Sequence, residues 1–114
     1  MESILTSIKK LLGLAEDDTS FDMDVIMHIN SVFMVLSQLG IGPEKGFFIE
    51  DETSTWNDYL MDSTQLELVK SYIYLKVKLL FDPYTSSSAQ ESANRMINEF
   101  EWRLNVAAES NKST

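Results

Sequence analysis

His28 is the only histidine in the chain, so a Ser-His-Asp arrangement would have to use it. Asp24 lies four residues earlier, on the same face of a helix, and could orient the imidazole as the acid of a hydrolytic triad does. No nucleophile is marked as its partner. The residues favour a plainer reading, a partly exposed polar position on a mostly apolar helix; the enzymatic one requires that His28→Ala abolish an activity. One histidine cannot make a two-histidine metal site. Cysteine is absent, which removes disulfides, thiolate zinc sites and a thiol nucleophile, and fits a reducing cytoplasm. Acidic clusters at Glu16 to Asp24 and Glu50 to Asp62 lack the Asp-x-Asp-x-Asp-Gly loop and closing Glu of an EF-hand, and read as solvated helix-start acids. The four glycines sit in turn contexts, and no phosphate-cradling loop occurs. No enzyme activity, cofactor or metal is expected.

Two constellations fit binding better than catalysis. Lys70, Tyr74 and Lys78 recur every four residues along one flank of a helix, a basic stripe able to meet an acidic patch on a neighbouring copy, or simply a solvated face. Trp102 lies off its helix's core stripe with Arg103 beside it, the residue types an interface uses, although the indole could equally be core. Eighteen acids against nine bases give a net charge of -9, so this surface should on average repel a phosphate backbone and nucleic-acid gripping is not expected.

With 114 residues, 44% hydrophobic and 24% charged, the chain is expected to fold as one globular domain. Glu2, Lys9 and Lys10 interrupt the opening apolar pattern, so no signal peptide is expected. Val25 to Pro43 is a 19-residue stretch without formal charge, but His28, Asn30, Ser31, Ser37, Gln38 and a Gly-Pro break argue for a buried helix over a membrane span.

Hydrophobic spacing predicts an all-α fold, a small bundle of about four helices. Ile4, Leu5, Ile8, Leu11 and Leu12 mark a short first helix closed at Gly13. Thr19 and Asp22 resemble a capping box before a second helix, whose stripe is Val25, Ile29, Val32, Leu36 and Leu39, widened by Ile26, Phe33 and Met34 and closed at Gly40. That breadth suggests the central helix. A long loop from Gly40 to Thr55 follows, where Phe47-Phe48-Ile49 could form a short β-hairpin arm. Trp56, Tyr59 and Leu60 share one helical turn that Thr55 and Asp58 can cap. Thr64 and Glu67 open a further helix with stripe Leu66, Val69, Ile73, Val77 and Leu80, stopped at Phe81-Asp82-Pro83. Ser88 and Glu91 open the last, with Ala93, Ile97, Phe100 and Leu104 on its core face. Residues 1–106 read as the helical domain and 107–114 as a polar flexible tail.

The order of these strings is more specific than any one of them. Phe21-Asp22, Ile29-Asn30-Ser31-Val32-Phe33, Gln38-Leu39-Gly40, Gly42-Pro43, Trp56-Asn57-Asp58-Tyr59-Leu60, Tyr74 through Pro83 and Glu101-Trp102-Arg103-Leu104-Asn105, taken together, resemble the head-tail connector (head-completion or adaptor) proteins of tailed bacteriophages and prophages, over about Ser3 to Val106. The resemblance implies a structural virion protein at the head-tail junction, assembled in the bacterial cytoplasm. It implies a homo-oligomeric ring of about twelve copies beneath the portal protein, extending the DNA channel and receiving the next head-completion or tail protein. DNA would pass without specific binding, and no membrane would be involved. By analogy, Lys70, Tyr74, Lys78, Trp102 and Arg103 are candidate ring-interface residues. Phe47, Phe48, Glu50, Asp51 and Glu52 form a candidate lumen or next-ring loop. Ala107, Ala108 and Glu109 begin a candidate portal-docking tail. An acidic lumen suits DNA that slides, because every fixed cation would add a phosphate contact to break.

The alternative is a small acidic regulator, an inhibitor that mimics nucleic acid to occupy a basic partner. It would need acids spaced along one face, whereas these concentrate at helix starts and in one loop.

Overall fold

The computed structural model describes residues 2–59 and 63–112, with side chains described for 2–59 and 65–109. Among the described residues there are five helices: α1 (Ile4–Leu11), α2 (Asp22–Gln38), the single turn α3 (Trp56–Tyr59), α4 (Ser63–Phe81) and α5 (Ser87–Lys112). The fold is all-α, as the apolar spacing predicts, and measures 44 × 36 × 20 Å. A thickness of 20 Å is that of two helix layers packed about 10 Å apart.

α1 starts where Ser3 accepts a hydrogen bond from the Thr6 N–H at 3.2 Å, and stops at Gly13, whose φ of 84° suits a residue without Cβ. Ile4, Leu5 and Ile8 are buried, while Leu11 is exposed. Just before α1 the chain lies antiparallel to the segment entering α3: Ile4 N–H donates to Ser54 O at 3.0 Å and Trp56 N–H to Glu2 O at 3.4 Å. Trp56 is thereby set against α1, fully buried, with its indole N–H donating to Ser7 Oγ at 3.0 Å. The Thr55–Asp58 cap forms, the Asp58 carboxylate accepting from Thr55 N–H at 2.9 Å. Leu60, placed on the same turn by its spacing, lies outside the described residues.

Two capping boxes are not used. Asp22 does not turn back on Thr19; its carboxylate lies 2.9 Å from Lys9 Nζ, and Phe21 opens α2 without a side-chain cap. Lys9 is only 3% exposed, and a cation buried that far needs an anion more than the helix start needs a cap. At α5 the cap is Ser86, two residues ahead of Ser88, with Ala89 N–H donating to its hydroxyl at 3.3 Å. The Thr64 side chain lies outside the described residues, and Glu67 approaches Lys70 at 3.7 Å.

α2 and α4 are both interior to the bundle: α4 packs against α2 and α5, and α2 against α4 and α1. Val69, Tyr72, Ile73, Leu75 and Val77 are buried around more of α4's circumference than one stripe covers. α2 buries Val25, Ile29, Val32, Phe33 and Leu36, but leaves Met23, Met27 and Met34 in solvent. The sequence cannot distinguish an apolar arc that its neighbours cover from one they leave partly open, which is why Met34 reads as part of the core stripe.

The hairpin arm does not form; among the described residues there is no strand. Ile49 instead bonds with both its backbone groups to the side chain of Asn30, N–H to Oδ1 at 2.8 Å and C=O from Nδ2 at 3.0 Å. One amide side chain thus takes the place of a neighbouring strand and seals Ile49 into the core. Finally, α5 runs without a break past Val106 to Lys112, and Ala108 is buried one turn beyond Leu104. The expected tail therefore begins as helix, because Ala108 extends the buried stripe. No helix among the described residues is long and apolar enough to cross a membrane.

Candidate interaction surfaces

His28 is half-buried on α2 and Asp24 is exposed. Among the described residues no hydrogen bond or ion pair joins them, and no group of three or more His, Asp or Glu is placed to hold a metal. The arrangement gives neither an oriented base nor a nucleophile.

The basic stripe is occupied from within the chain. Lys70 Nζ sits 5.4 Å from the Trp56 ring centroid, and Lys78 pairs with Asp82 at 2.9 Å while lying 5.1 Å over the ring of Tyr84. The hydrogen bond that Lys78 donates to the Asp82 carboxylate raises the Lys78 pKa above the ordinary lysine value. Tyr74 is half-buried beside them, and burial followed by the neighbouring Tyr84 hydroxyl raises its pKa. Lys70 and Tyr74 share a shallow cleft with Lys10 and Leu11 of α1. Trp102 and Arg103 are elsewhere, on α5, so the structure does not bring these five candidates onto one patch.

The loop candidates also divide. Phe47 turns inward, 5.2 Å edge-on to Phe33 and 5.2 Å from Tyr59, whereas Phe48 is 59% exposed. Glu50, Asp51 and Glu52 are exposed, and Asp51 accepts from Thr53 N–H at 2.9 Å and from the Thr53 hydroxyl. Those bonds, the hydroxyl's foremost, lower the Asp51 pKa below its ordinary value. Of the tail candidates, Ala107 is half-buried, Ala108 is buried and Glu109 is exposed.

Between α4 and α5, the Tyr72 hydroxyl donates to Glu101 at 2.7 Å, and Lys76 approaches the same carboxylate at 3.9 Å. Burial, then the bond to Glu101, drives the tyrosine pKa well above its ordinary value. Glu101 thus ties the two helices, and beside it Trp102, Asn105 and Val106 line a shallow cleft with Leu39. There Trp102 stands 67% exposed, with Val106 one turn on, while Arg103 pairs with Glu99 at 2.9 Å.

A second apolar surface escapes the sequence reading. Met27 and Met34 of α2, 60% and 55% exposed, line a groove of about 350 Å³ with Asn30, Val35, Gln38 and Phe48. Met23 continues the row toward the start of the helix. The available signal was the width of α2's apolar arc, which counts Met34 with the core. Several large exposed apolar groups on one helix face mark an interaction surface more often than they mark a free monomer surface.

The family described as phage connector protein matches the chain over residues 4–111. No curated protein and no solved structure matches it. The match reaches all five helices, and it makes this chain a structural component of phage particles that meets other head or tail proteins. The chain belongs to the phage connector proteins.

Proposed function

We propose that the chain is a ring-forming subunit of the head-tail junction, seated beneath the portal, extending the DNA channel and receiving the next connector or tail protein. The observation that carries this reading is the family match over residues 4–111. Two features support it. Exposed apolar faces on two different helices, α2 and α5, suit the heterologous contacts of a ring, in which one surface of each copy meets a different surface of the next. The net charge of -9 suits a channel through which DNA slides unheld. The loop residues Glu50, Asp51 and Glu52 are assigned to the lumen or the next ring, and the end of α5 from Ala107 to the portal. Since Ala108 faces the core, Ala107, Glu109 and the residues beyond form the docking side.

The test is to mix the purified chain with a portal ring and weigh the product by light scattering after size exclusion, beside the chain alone. A stoichiometric ring-on-ring complex of about twelve copies is expected. A chain that stays apart from the portal at every concentration overturns the reading. Deleting residues 107–114 should weaken attachment while far-UV circular dichroism stays helical; undiminished attachment overturns the assignment of the tail.

A further inference from the structure

We propose that the segment 42–50 is a strap that opens as a unit while the bundle beneath it stays folded, with Asn30 as its latch and Tyr59 as the seat it covers. Both ends of the strap are anchored. Before it, Ile41 N–H donates to Leu36 O at 2.9 Å, and beyond it Ser54 O accepts from Ile4 N–H at 3.0 Å. Between these anchors, among the described residues, the one backbone–backbone bond is Gly46 N–H to Pro43 O at 3.0 Å, a turn inside the strap itself. The hydrogen bonds that fasten the strap to the bundle are the two that Asn30 makes with Ile49, at 2.8 and 3.0 Å. Apart from them it is held by apolar packing, with Ile49 buried and Phe47 set against Phe33 and Tyr59.

Closure also has a cost that opening removes. Tyr59 is only 4% exposed, and its hydroxyl is buried without a hydrogen-bond partner. Gly42 lies directly against it: a Cβ there would be 2.7 Å from a ring carbon and 3.0 Å from the hydroxyl oxygen. A buried hydroxyl left unpaired forfeits the hydration it regains once the cover lifts. The cover can lift because Gly42 and Gly46, at φ of 89° and 86°, have no Cβ and move between left-handed and ordinary backbone without a clash. Hinges are a few such positions at the ends of a moving segment. One side-chain latch, an unpaired group under the cover and glycine hinges together describe a segment that opens at a lower free energy than the whole molecule. Once open, the strap presents the unpaired backbone groups of Ile49 and the side chains of Phe47 and Ile49, next to a Phe48 that is already 59% exposed.

The experiment is amide hydrogen exchange followed by NMR on the full-length chain, in water and in urea below the unfolding transition. It compares Ile49 N–H, which bonds Asn30, with Ile73 N–H inside α4. Ile49 should be protected relative to an unstructured amide yet exchange at least about a hundredfold faster than Ile73, with a weak dependence on urea where that of Ile73 is steep, because lifting a strap exposes far less surface than unfolding a bundle. Equal rates with equal urea dependence, or an Ile49 amide with no protection, overturn the strap. Two variants test its parts. Asn30→Ala should speed Ile49 exchange about thirtyfold or more, and an unchanged rate overturns the latch. Tyr59→Phe keeps the ring and removes the unpaired hydroxyl, so it should slow Ile49 exchange about threefold or more; an unchanged or faster rate overturns the role of Tyr59. If Asn30→Ala does not fold, the wild-type urea series and Tyr59→Phe decide the proposal without it.

Discussion

Asn30 holds Ile49 by both of its backbone groups, the side-chain amide accepting from the N–H at 2.8 Å and donating to the C=O at 3.0 Å. The pair joins the middle of α2 to the long loop and sets Phe48 over the methionine groove. Asn30→Leu would leave both backbone groups of Ile49, itself 2% exposed, without partners. The expected loss is about 2–4 kcal/mol, a fall in melting temperature of about 10 °C or more. Thermal circular dichroism checks it, and a melting temperature within about 2 °C of wild type would show the loop is held by its aromatic contacts alone.

Lys9 and Asp22 form the corresponding tie between α1 and α2, with Lys9 Nζ also donating to Glu16 O at 3.0 Å. Removing one partner strands the other. Lys9→Met should cost about 3 kcal/mol in urea unfolding, and the double variant Lys9→Met/Asp22→Leu should recover more than half of that. Equal losses in the single and double variants would mean that the bond to Glu16 matters and the ion pair does not.

Gly42 and Gly13 separate conformational strain from crowding. Both have φ near +85°, at 89° and 84°, but a Cβ at Gly42 would lie 2.7 Å from a ring carbon of Tyr59, whereas at Gly13 it meets nothing within 4 Å. Gly13→Ala should cost about 1 kcal/mol for the left-handed backbone alone. Gly42→Ala should cost at least about twice that, since the buried Tyr59 must shift. Chemical denaturation compares the two; equal losses would show that Tyr59 yields freely.

Asp18 and Asp51 should loosen their turns in acid. Both carboxyls are held below the ordinary aspartate value of 3.8, Asp18 chiefly by the Ser20 N–H and Asp51 chiefly by the Thr53 hydroxyl. A depressed folded pKa contributes stability that is complete above the unfolded value and lost as the pH falls from there through the folded one. Carboxyl NMR titration should therefore give midpoints below 3.8 for both, and Thr53→Ala should raise the Asp51 midpoint while leaving Asp18 unchanged. An Asp51 midpoint that does not move in Thr53→Ala contradicts the assignment.

Local pattern decided much of this molecule. Apolar residues at helical spacing place all the helices, Gly13 and Gly40 close α1 and α2, Pro83 stops α4, and Thr55 with Asp58 caps α3, because each of these effects acts within a few residues. The order of the strings also carried the family. What the sequence could not contain was which partner each side chain would find at long range. Asp22 left its cap for Lys9, Asn30 replaced a strand, and Lys70 and Lys78 were taken up by Trp56 and Asp82. The same holds for burial. A methionine on α2 and a valine on α4 both fall within apolar arcs along the chain, and only the packing of the helices left Met27 and Met34 open while it closed Val69 and Val77. Periodicity states how much of a helix is apolar; which part of that arc meets a neighbour is set by where the other helices come to rest.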